Sequence, residues 1–248
     1  MVFGSYWGGH WQVYSMNTDG TDQVNLSNNS WSDQYPTWSP GGNKIAFSST
    51  RNGKRDIYVM DPDGSNEAKL PTIFGDANFP AWSPDGTKIA FLAGLDIYVM
   101  NADGSNGQLL TTADSLTTDE SGTNYIDEWP TWSPGNKIAF NSNRKDGSPG
   151  YVGGDYINTM NPDGSNIVQL PSGIEAHQPS WSPGGDMITF PSSPKVYKMN
   201  SDGSSVTELA TGYDPSWSKD GNMIAFAQYV YTPGRIVFTV VVCVQRYS

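Results

Sequence analysis

The chain has 248 residues and a formal net charge of −11, which argues against nucleic acid as a partner because polyanions are bound by Lys and Arg. The same charge disfavours an anionic membrane surface, and no apolar stretch is long enough to cross a bilayer, so no membrane insertion is expected. A single cysteine excludes an internal disulfide, and 27 Gly with 17 Pro residues indicate frequent turns between many short strands.

Four short phrases recur in a fixed order along the chain. A Trp-Ser-Pro phrase, or its variant Trp-Ser-Lys, is followed by a glycine turn and begins at Trp38, Trp82, Trp132, Trp181 and Trp217. An apolar strand of the type KIAF follows it at residues 44, 88, 137, 187 and 223. A strand ending in Met then leads into turns at Gly20, Gly64, Gly104, Gly164 and Gly203, and a last strand such as EAKL or IVQL closes each repeat.

Each repeat is therefore interpreted as four short strands joined by tight turns. The five tryptophans lie 44, 50, 49 and 36 residues apart, a period typical of four-stranded propeller blades. Such a sheet cannot bury both faces alone, so the repeats must stack, and the Trp rings are expected to pack between neighbouring sheets. The Asp-Gly pairs are expected to supply the positive φ of two-residue hairpin turns.

The two ends of the chain carry incomplete repeats. Residues 1–20 align without gaps on residues 45–64, so the chain begins at the second strand of a repeat. After Trp217, strands are expected at 223–228 and 236–244, with no fourth strand. We predict a single domain over 1–248 with six blades, the first and last incomplete; five blades with merged ends is the alternative. The atypical residues 236–248 are expected either to supply a closing strand or to indicate that the chain is part of a longer protein.

These phrases resemble the WD40-like (PD40) repeat of the TolB-like β-propeller family over about residues 3–238. The resemblance implies an all-β fold of four-stranded antiparallel blades. It also implies a non-enzymatic scaffold that binds a protein or peptide, in a periplasmic or extracellular location, although the opening MVFGSYWGGH does not have the pattern of a signal peptide. Similar repeats form the propellers of prolyl-oligopeptidase-like peptidases and of polysaccharide lyases, so the repeat is weakly specific for function.

The loops opposite the glycine turns vary between repeats, which is typical of binding surfaces on a rigid scaffold. A proline stands two residues before each repeated Trp, in the predicted first strand of the repeat, at Pro36, Pro80, Pro130, Pro179 and Pro215. The residue two positions before each of these prolines is predicted to line the mouth of a central channel. These residues, with the adjacent Asp127, are Gln34, Asn78, Asp127, Glu128, His177 and Tyr213. We predict that this acid-leaning ring contacts a peptide, a sugar or a cation; the alternative is a water-filled mouth that binds nothing specific.

Aromatic residues in the variable loops form a second candidate surface. Trp7, Trp11, Trp31 and Trp129 are interpreted as a platform for sugar rings or a peptide. The alternative is that these rings only fasten long loops to the body of the protein.

The sequence predicts no catalytic residues and no metal site. The two histidines, His10 and His177, are too few for a typical zinc site, and no G-x-S-x-G nucleophile turn occurs. Calcium shared between loop aspartates, and a lyase-like function of His177 with Glu128, are left open as alternatives. The basic loop RNGKR at 51–55 is interpreted as a solvated turn. We expect a monomer that binds a protein or peptide partner, with carbohydrate as the alternative ligand and no cofactor.

Overall fold

A computed structural model of the chain describes residues 1–71, 75–112, 126–145, 148–232 and 235–243. All regular elements in these ranges are β-strands, and no helix in them could span a membrane. The chain divides into two compact units, Met1–Ala113 and Asp114–Ser248, which are described separately. The all-β class is confirmed, whereas the single domain over 1–248 stays a prediction.

The first unit contains three antiparallel sheets. The first sheet has the strands β1 (Val2–Trp7), β2 (His10–Ser15) and β3 (Val24–Asn25). The second has β4 (Asp33–Trp38), β5 (Ile45–Ser49), β6 (Asp56–Met60) and β7 (Ala68–Lys69). The third has β8 (Ala77–Trp82), β9 (Lys88–Ala93), β10 (Asp96–Asn101) and β11 (Gln108–Leu109).

The second unit also contains three antiparallel sheets. The fourth sheet has the strands β12 (Asp127–Trp132), β13 (Ile138–Lys145), β14 (Ser148–Met160) and β15 (Val168–Gln169). The fifth has β16 (Ser180–Trp181), β17 (Met187–Ser192), β18 (Lys195–Asn200) and β19 (Thr207–Thr211). The sixth has β20 (Tyr213–Trp217), β21 (Ile224–Thr232) and β22 (Arg235–Cys243). The described strands thus form six sheets whose first and last members have three strands, as the incomplete end repeats predicted.

The KIAF strand lies second in each complete sheet and is covered on both faces. Ile45, Ala46 and Phe47 of β5 are fully buried, and the corresponding residues of β9, β13 and β17 are equally buried. A strand buried on both faces reads as a continuous apolar run instead of an alternating one. This burial explains why the second phrase varies little from repeat to repeat.

The apolar core is built between neighbouring sheets. In the first unit, Val13 and Leu26 of the first sheet pack with Phe47 and Met60 of the second, and Trp38 lies against this cluster. Similar clusters join the second and third sheets and, in the second unit, the fourth with the fifth and the fifth with the sixth. The repeated tryptophans at these other junctions are Trp82, Trp181 and Trp217. The prediction that the Trp rings pack between neighbouring sheets is confirmed at these junctions.

The Asp-Gly turns differ in type from the predicted two-residue hairpins. Gly64 has a φ of 85° and its N–H donates to Asp61 O, while Asp61 N–H donates to Ser65 O. Asp63 does not have positive φ; its carboxylate accepts hydrogen bonds from Ser65 N and Oγ at 2.9 and 2.6 Å. The turn is a three-residue loop that ends in a left-handed glycine, so the two-residue prediction was wrong.

The turn glycines also lie against the preceding sheet. A Cβ added to Gly64 would overlap the backbone oxygen of Leu26, and one added to Gly104 would overlap Pro71. Gly20 has the same φ of 85° but no atom within 4 Å of an added Cβ. Glycine is therefore required for conformation at all three positions and for close packing at Gly64 and Gly104.

Gly64→Ala is expected to destabilise the protein more than Gly20→Ala. Both substitutions place a side chain at positive φ, which costs about 1–2 kcal/mol. Gly64→Ala adds an overlap with the first sheet, for which a further cost of about 1–3 kcal/mol is expected. Chemical denaturation of the two variants measures the difference, and equal losses of stability would contradict a packing role for Gly64.

Candidate functional site

A β-bulge lies immediately before the strand-one proline in four of the sheets. In the second sheet Gln34 pairs with Ser48 and Thr37 with Ala46, so Tyr35 and Pro36 together oppose Phe47. The residue before the proline has positive φ in all four cases: Tyr35 56°, Phe79 52°, Trp129 56° and Asp214 52°. Proline, which has no N–H for the ladder, is accommodated at such bulges. Left-handed backbone is unfavourable for these residue types and often marks functional sites.

In the first unit the predicted mouth residues lie beside these bulges and are largely covered. Gln34 is 9% exposed and accepts a hydrogen bond at 3.3 Å from Arg55 Nη2, and Asn78 is 6% exposed. The bulge residues Tyr35 and Phe79 meet edge to face, with ring centroids 4.4 Å apart. Neighbouring sheets are thus joined at the bulges, and ligand binding by Gln34 and Asn78 stays a prediction.

Two aromatic side chains of the first unit, one in a loop and one near the end of β1, are exposed to solvent. Trp31 is 47% exposed and Tyr6 is 56% exposed. Trp11 is half-buried and meets Tyr6 edge to face, with ring centroids 5.7 Å apart. The side chain of Trp7, the remaining first-unit residue of the predicted platform, lies outside the described residues.

The loop that carries Trp31 is fixed by a buried amide. Gln12 is 3% exposed, and its Nε2 donates to Trp11 O and Trp31 O, both at 2.9 Å. Its Oε1 accepts from Ser27 Oγ at 3.3 Å and from Asn29 N at 2.9 Å. One side chain therefore forms four hydrogen bonds, three of which hold residues 27–31 against β2.

Arg51 extends this polar network, contrary to the prediction that RNGKR is a solvated turn. Its side chain is 17% exposed and contacts the carboxylates of Asp33, at 3.3 Å, and Glu67. The guanidinium also lies 4.3 Å from the ring centroid of Tyr58, in cation–π geometry. Asp33 also accepts from Asn29 Nδ2 at 2.7 Å, so Arg51 connects the loop to the body of the second sheet.

In the second unit, Glu128 and His177 are brought together with Asp155. His177 Nδ1 lies 3.0 Å from Asp155 Oδ2, and the two side chains are 39% and 25% exposed. The hydrogen bond with Asp155 raises the pKa of His177, and the nearby carboxylates of Glu128 and Glu175 raise it further. Burial raises the pKa of Glu128, although hydrogen bonds from Asn141 and Trp129 oppose the rise.

The remaining predicted residues of the second unit differ in exposure; Asp127 and Trp129 adjoin Glu128 in sequence, whereas Tyr213 lies at the start of β20. Asp127 is fully buried, Trp129 and Tyr213 are half-buried, and Trp129 hydrogen bonds to Glu128. Asp155 was not singled out by sequence reasoning. Asp155 stands five residues before Met160, which ends the third strand of the fourth sheet. Arg55 stands equally far before Met60 in the second sheet, so alignment of the repeats could have identified Asp155.

Comparison with known proteins supports the fold. No protein-family model matches the chain, and no curated protein is a significant match. TolB from Acinetobacter baumannii is similar with a TM-score of 0.73 and 22% identity over 93% of this chain and 56% of that one. This chain therefore spans little more than half of that TolB, and the likeness shows the β-propeller fold alone.

Two further solved structures share the fold. A chain of a nidogen/laminin complex has a TM-score of 0.69 and 11% identity over 92% of this chain and 84% of that one. An oligogalacturonate lyase in complex with manganese has a TM-score of 0.57 and 14% identity over 92% of this chain and 82% of that one. The described residues here include no group of three or more His, Cys, Asp and Glu placed to hold a metal ion, so they do not fit that manganese.

Gln12→Leu is expected to destabilise the first unit and loosen the Trp31 loop. The substitution removes four hydrogen bonds and leaves buried backbone groups unpaired, for which roughly 2 kcal/mol or more is expected. Urea denaturation and amide exchange at Asn29 and Trp31 measure both effects. Gln23→Leu, at an exposed position, is the control; equal exchange at Trp31 in the two variants would contradict the role of Gln12.

Asp155→Asn is expected to lower the pKa of His177, because the carboxylate stabilises the imidazolium. Since the folded-state pKa of His177 is raised, the pair stabilises the fold below the unfolded pKa of histidine. This contribution is lost as the pH rises through the raised pKa. NMR titration measures the shift, with His10 as a second resonance, and an unchanged His177 pKa would contradict the pairing.

Proposed function

We propose that the chain is a non-enzymatic β-propeller scaffold that recognises a protein or peptide partner through its variable loops. The observation that carries this proposal is the pair of exposed aromatic side chains, Trp31 on a loop held by hydrogen bonds and Tyr6 near the end of β1. Trp31 is held through its own backbone oxygen by the buried Gln12, and its N–H donates to Asn29 Oδ1 at 2.8 Å.

Exposed tryptophan and tyrosine on an ordered loop are favourable for protein recognition. These residue types dominate the binding energy of many protein interfaces because they bury large areas with few rotatable bonds. A loop already held by hydrogen bonds loses less conformational entropy on binding than a free loop. The alternative interpretation, in which the aromatics only fasten loops, agrees less well with Trp31. The side chains of Gln12 and Asn29 already hold its loop through hydrogen bonds to the Trp31 backbone.

The comparisons are compatible with this proposal at the level of the fold. The TolB structure and the chain of a nidogen/laminin complex share the propeller, and the latter belongs to a complex of proteins. Because the identities are 22% and 11%, partner identity does not transfer from either structure.

A carbohydrate-binding or lyase-like function is the second candidate. It is supported by the Glu128 carboxyl, whose pKa is raised by burial, beside a histidine oriented by Asp155. Such a pairing suits acid–base chemistry. Release of unsaturated products from acidic polysaccharide with added manganese would favour this candidate over the scaffold, and complete inactivity together with a negative glycan array would remove it.

Trp31→Ala is expected to weaken binding to peptides selected from a displayed library by about tenfold or more, as for a central interface residue. Leu109→Ala is the matched control, because Leu109 is 45% exposed on β11, close to the 47% of Trp31. Isothermal titration calorimetry on both variants and the unchanged protein measures the effect.

Two results would contradict the proposed scaffold function. One is a library that yields no peptide above background on the full chain. The other is an equal loss of affinity in Trp31→Ala and Leu109→Ala, which would show that the exposed loop aromatics are not the recognition surface.

A further inference from the structure

Three equivalent positions recur in the two units with different side chains. The first position lies two residues before the proline in the first strand of a sheet. The second lies five residues before the methionine that ends the third strand of the same sheet, and the third lies two residues before the first-strand proline of the next sheet. In the first unit these are Gln34, Arg55 and Asn78, and in the second they are Glu128, Asp155 and His177. One backbone contact is the same in both: Arg55 O accepts from Ala77 N and Asp155 O from Ala176 N, each at 2.8 Å. Asn78 lies in β8, whereas His177 precedes β16.

The two sets differ in how their charge is balanced. In the first unit the positive group is built in, since Arg55 donates to Gln34 Oε1. In the second unit the equivalent of Arg55 is Asp155, so a carboxylate replaces the guanidinium. Glu175 adds a third carboxylate and lies against Gly154, where a Cβ would overlap it. Three carboxyl groups thus act on one imidazole, and with all three ionised their net charge is −2 when His177 is protonated and −3 when it is neutral.

A buried amide lies at the inner end of this cluster. Asn141 is 0% exposed, and its Nδ2 lies 3.3 Å from Glu128 Oε1. Its Oδ1 accepts no hydrogen bond, an uncommon state for a buried acceptor. Trp129 hydrogen bonds to the same carboxylate and adds an aromatic ring beside it. Carboxylates, an amide oxygen and an aromatic ring are the groups that recognise ammonium and guanidinium ions.

We propose that Glu128, Asp155 and Glu175, with Asn141 and Trp129, form a subsite for the basic side chain of a peptide partner. This proposal rests on the proposed scaffold function and specifies the chemistry of the partner at one position. The partner's ammonium or guanidinium takes the place that Arg55 fills in the first unit. The partial exposure of His177 and Asp155, 39% and 25%, leaves the cluster open to such a group.

The subsite is expected to bind more tightly as the pH rises. The titratable groups that act on one another here are Glu128 on β12, Asp155 on β14, and Glu175 and His177 before β16. Rising pH removes the competing charge of His177 and ionises Glu128, whose pKa is also raised. Both changes increase the negative charge offered to the partner.

The test uses the full chain and an N-acetylated tetralysine amide, with calorimetry at low salt. Glu128→Gln is expected to weaken binding by about fivefold or more, the effect of losing a charge-assisted hydrogen bond. Gln34 already occupies the equivalent position in the second sheet, so the fold is expected to tolerate this change. Glu175→Gln, at an exposed position, is the second variant. Glu208→Gln, an exposed acid of the same unit paired with Lys195, is the control and is expected to change affinity less than twofold.

Three outcomes would overturn the subsite. They are no binding of tetralysine, equal weakening in Glu208→Gln, and equal binding of the peptide with all four lysines acetylated. Tighter binding of spermidine than of tetralysine would assign the cluster to a free polyamine and also overturn the proposal. Weaker binding at pH 5.5 than at pH 8 supports it.

This result is separable from that of the scaffold proposal. Library peptides that depend on Trp31 but carry no basic residue, and that bind Glu128→Gln normally, would remove the subsite and keep the scaffold. Binding of tetralysine that depends on Glu128, combined with a library from which no peptide is selected, would remove the scaffold proposal and keep the cation site.

Discussion

Burial of apolar faces between neighbouring sheets is the constraint on which the structure depends. A sheet of three or four short strands exposes two faces, and the KIAF strand is apolar on both. Phe47 is fully buried only because Val13 and Leu26 of the first sheet cover one of those faces. The same relation holds between the second and third sheets and within the second unit. Stability is thus shared by junctions, as in other repeat proteins, and no sheet has a core of its own.

This constraint determines which parts of each repeat can vary. The turn at Gly64 is restricted twice, by its left-handed backbone and by its contact with Leu26 of the preceding sheet. Side chains that contact neither a junction nor a turn are free to change between repeats. The positions of Gln34 and Glu128 are of this kind: both stand beside a bulge of the same geometry, yet one is neutral and the other acidic.

The strands and their grouping into sheets could be predicted from the sequence, because burial on two faces leaves repeated apolar runs and each turn leaves a glycine. The left-handed Tyr35, Phe79 and Trp129 could not, since no local preference places these residues at positive φ; the bulge is imposed by pairing with the next strand. Arg51 was misread because its partners Asp33 and Glu67 are 18 and 16 residues away in sequence. The proximity of Glu128 and His177 was suggested by spacing, whereas Asp155 was missed, although its position matches that of Arg55 in the second sheet.

The comparison of the two units shows how one backbone can carry different chemistry. Arg55 O and Asp155 O accept equivalent backbone hydrogen bonds at 2.8 Å, from Ala77 N and Ala176 N, so this contact does not depend on which side chain the position carries. In the first unit Arg55 donates to Gln34 and Arg51 contacts Asp33, so each basic group faces a polar or acidic side chain, although Arg55 Nε and Asn78 Oδ1 have no hydrogen-bond partner among the described residues. In the second unit the excess of carboxylates over basic groups around His177 is not balanced in this way. Neighbouring like charges are costly unless an opposite charge offsets them, and His177 carries at most one positive charge against three carboxyl groups. A basic side chain of a partner would supply the missing positive charge, as proposed for the subsite at Glu128, Asp155 and Glu175.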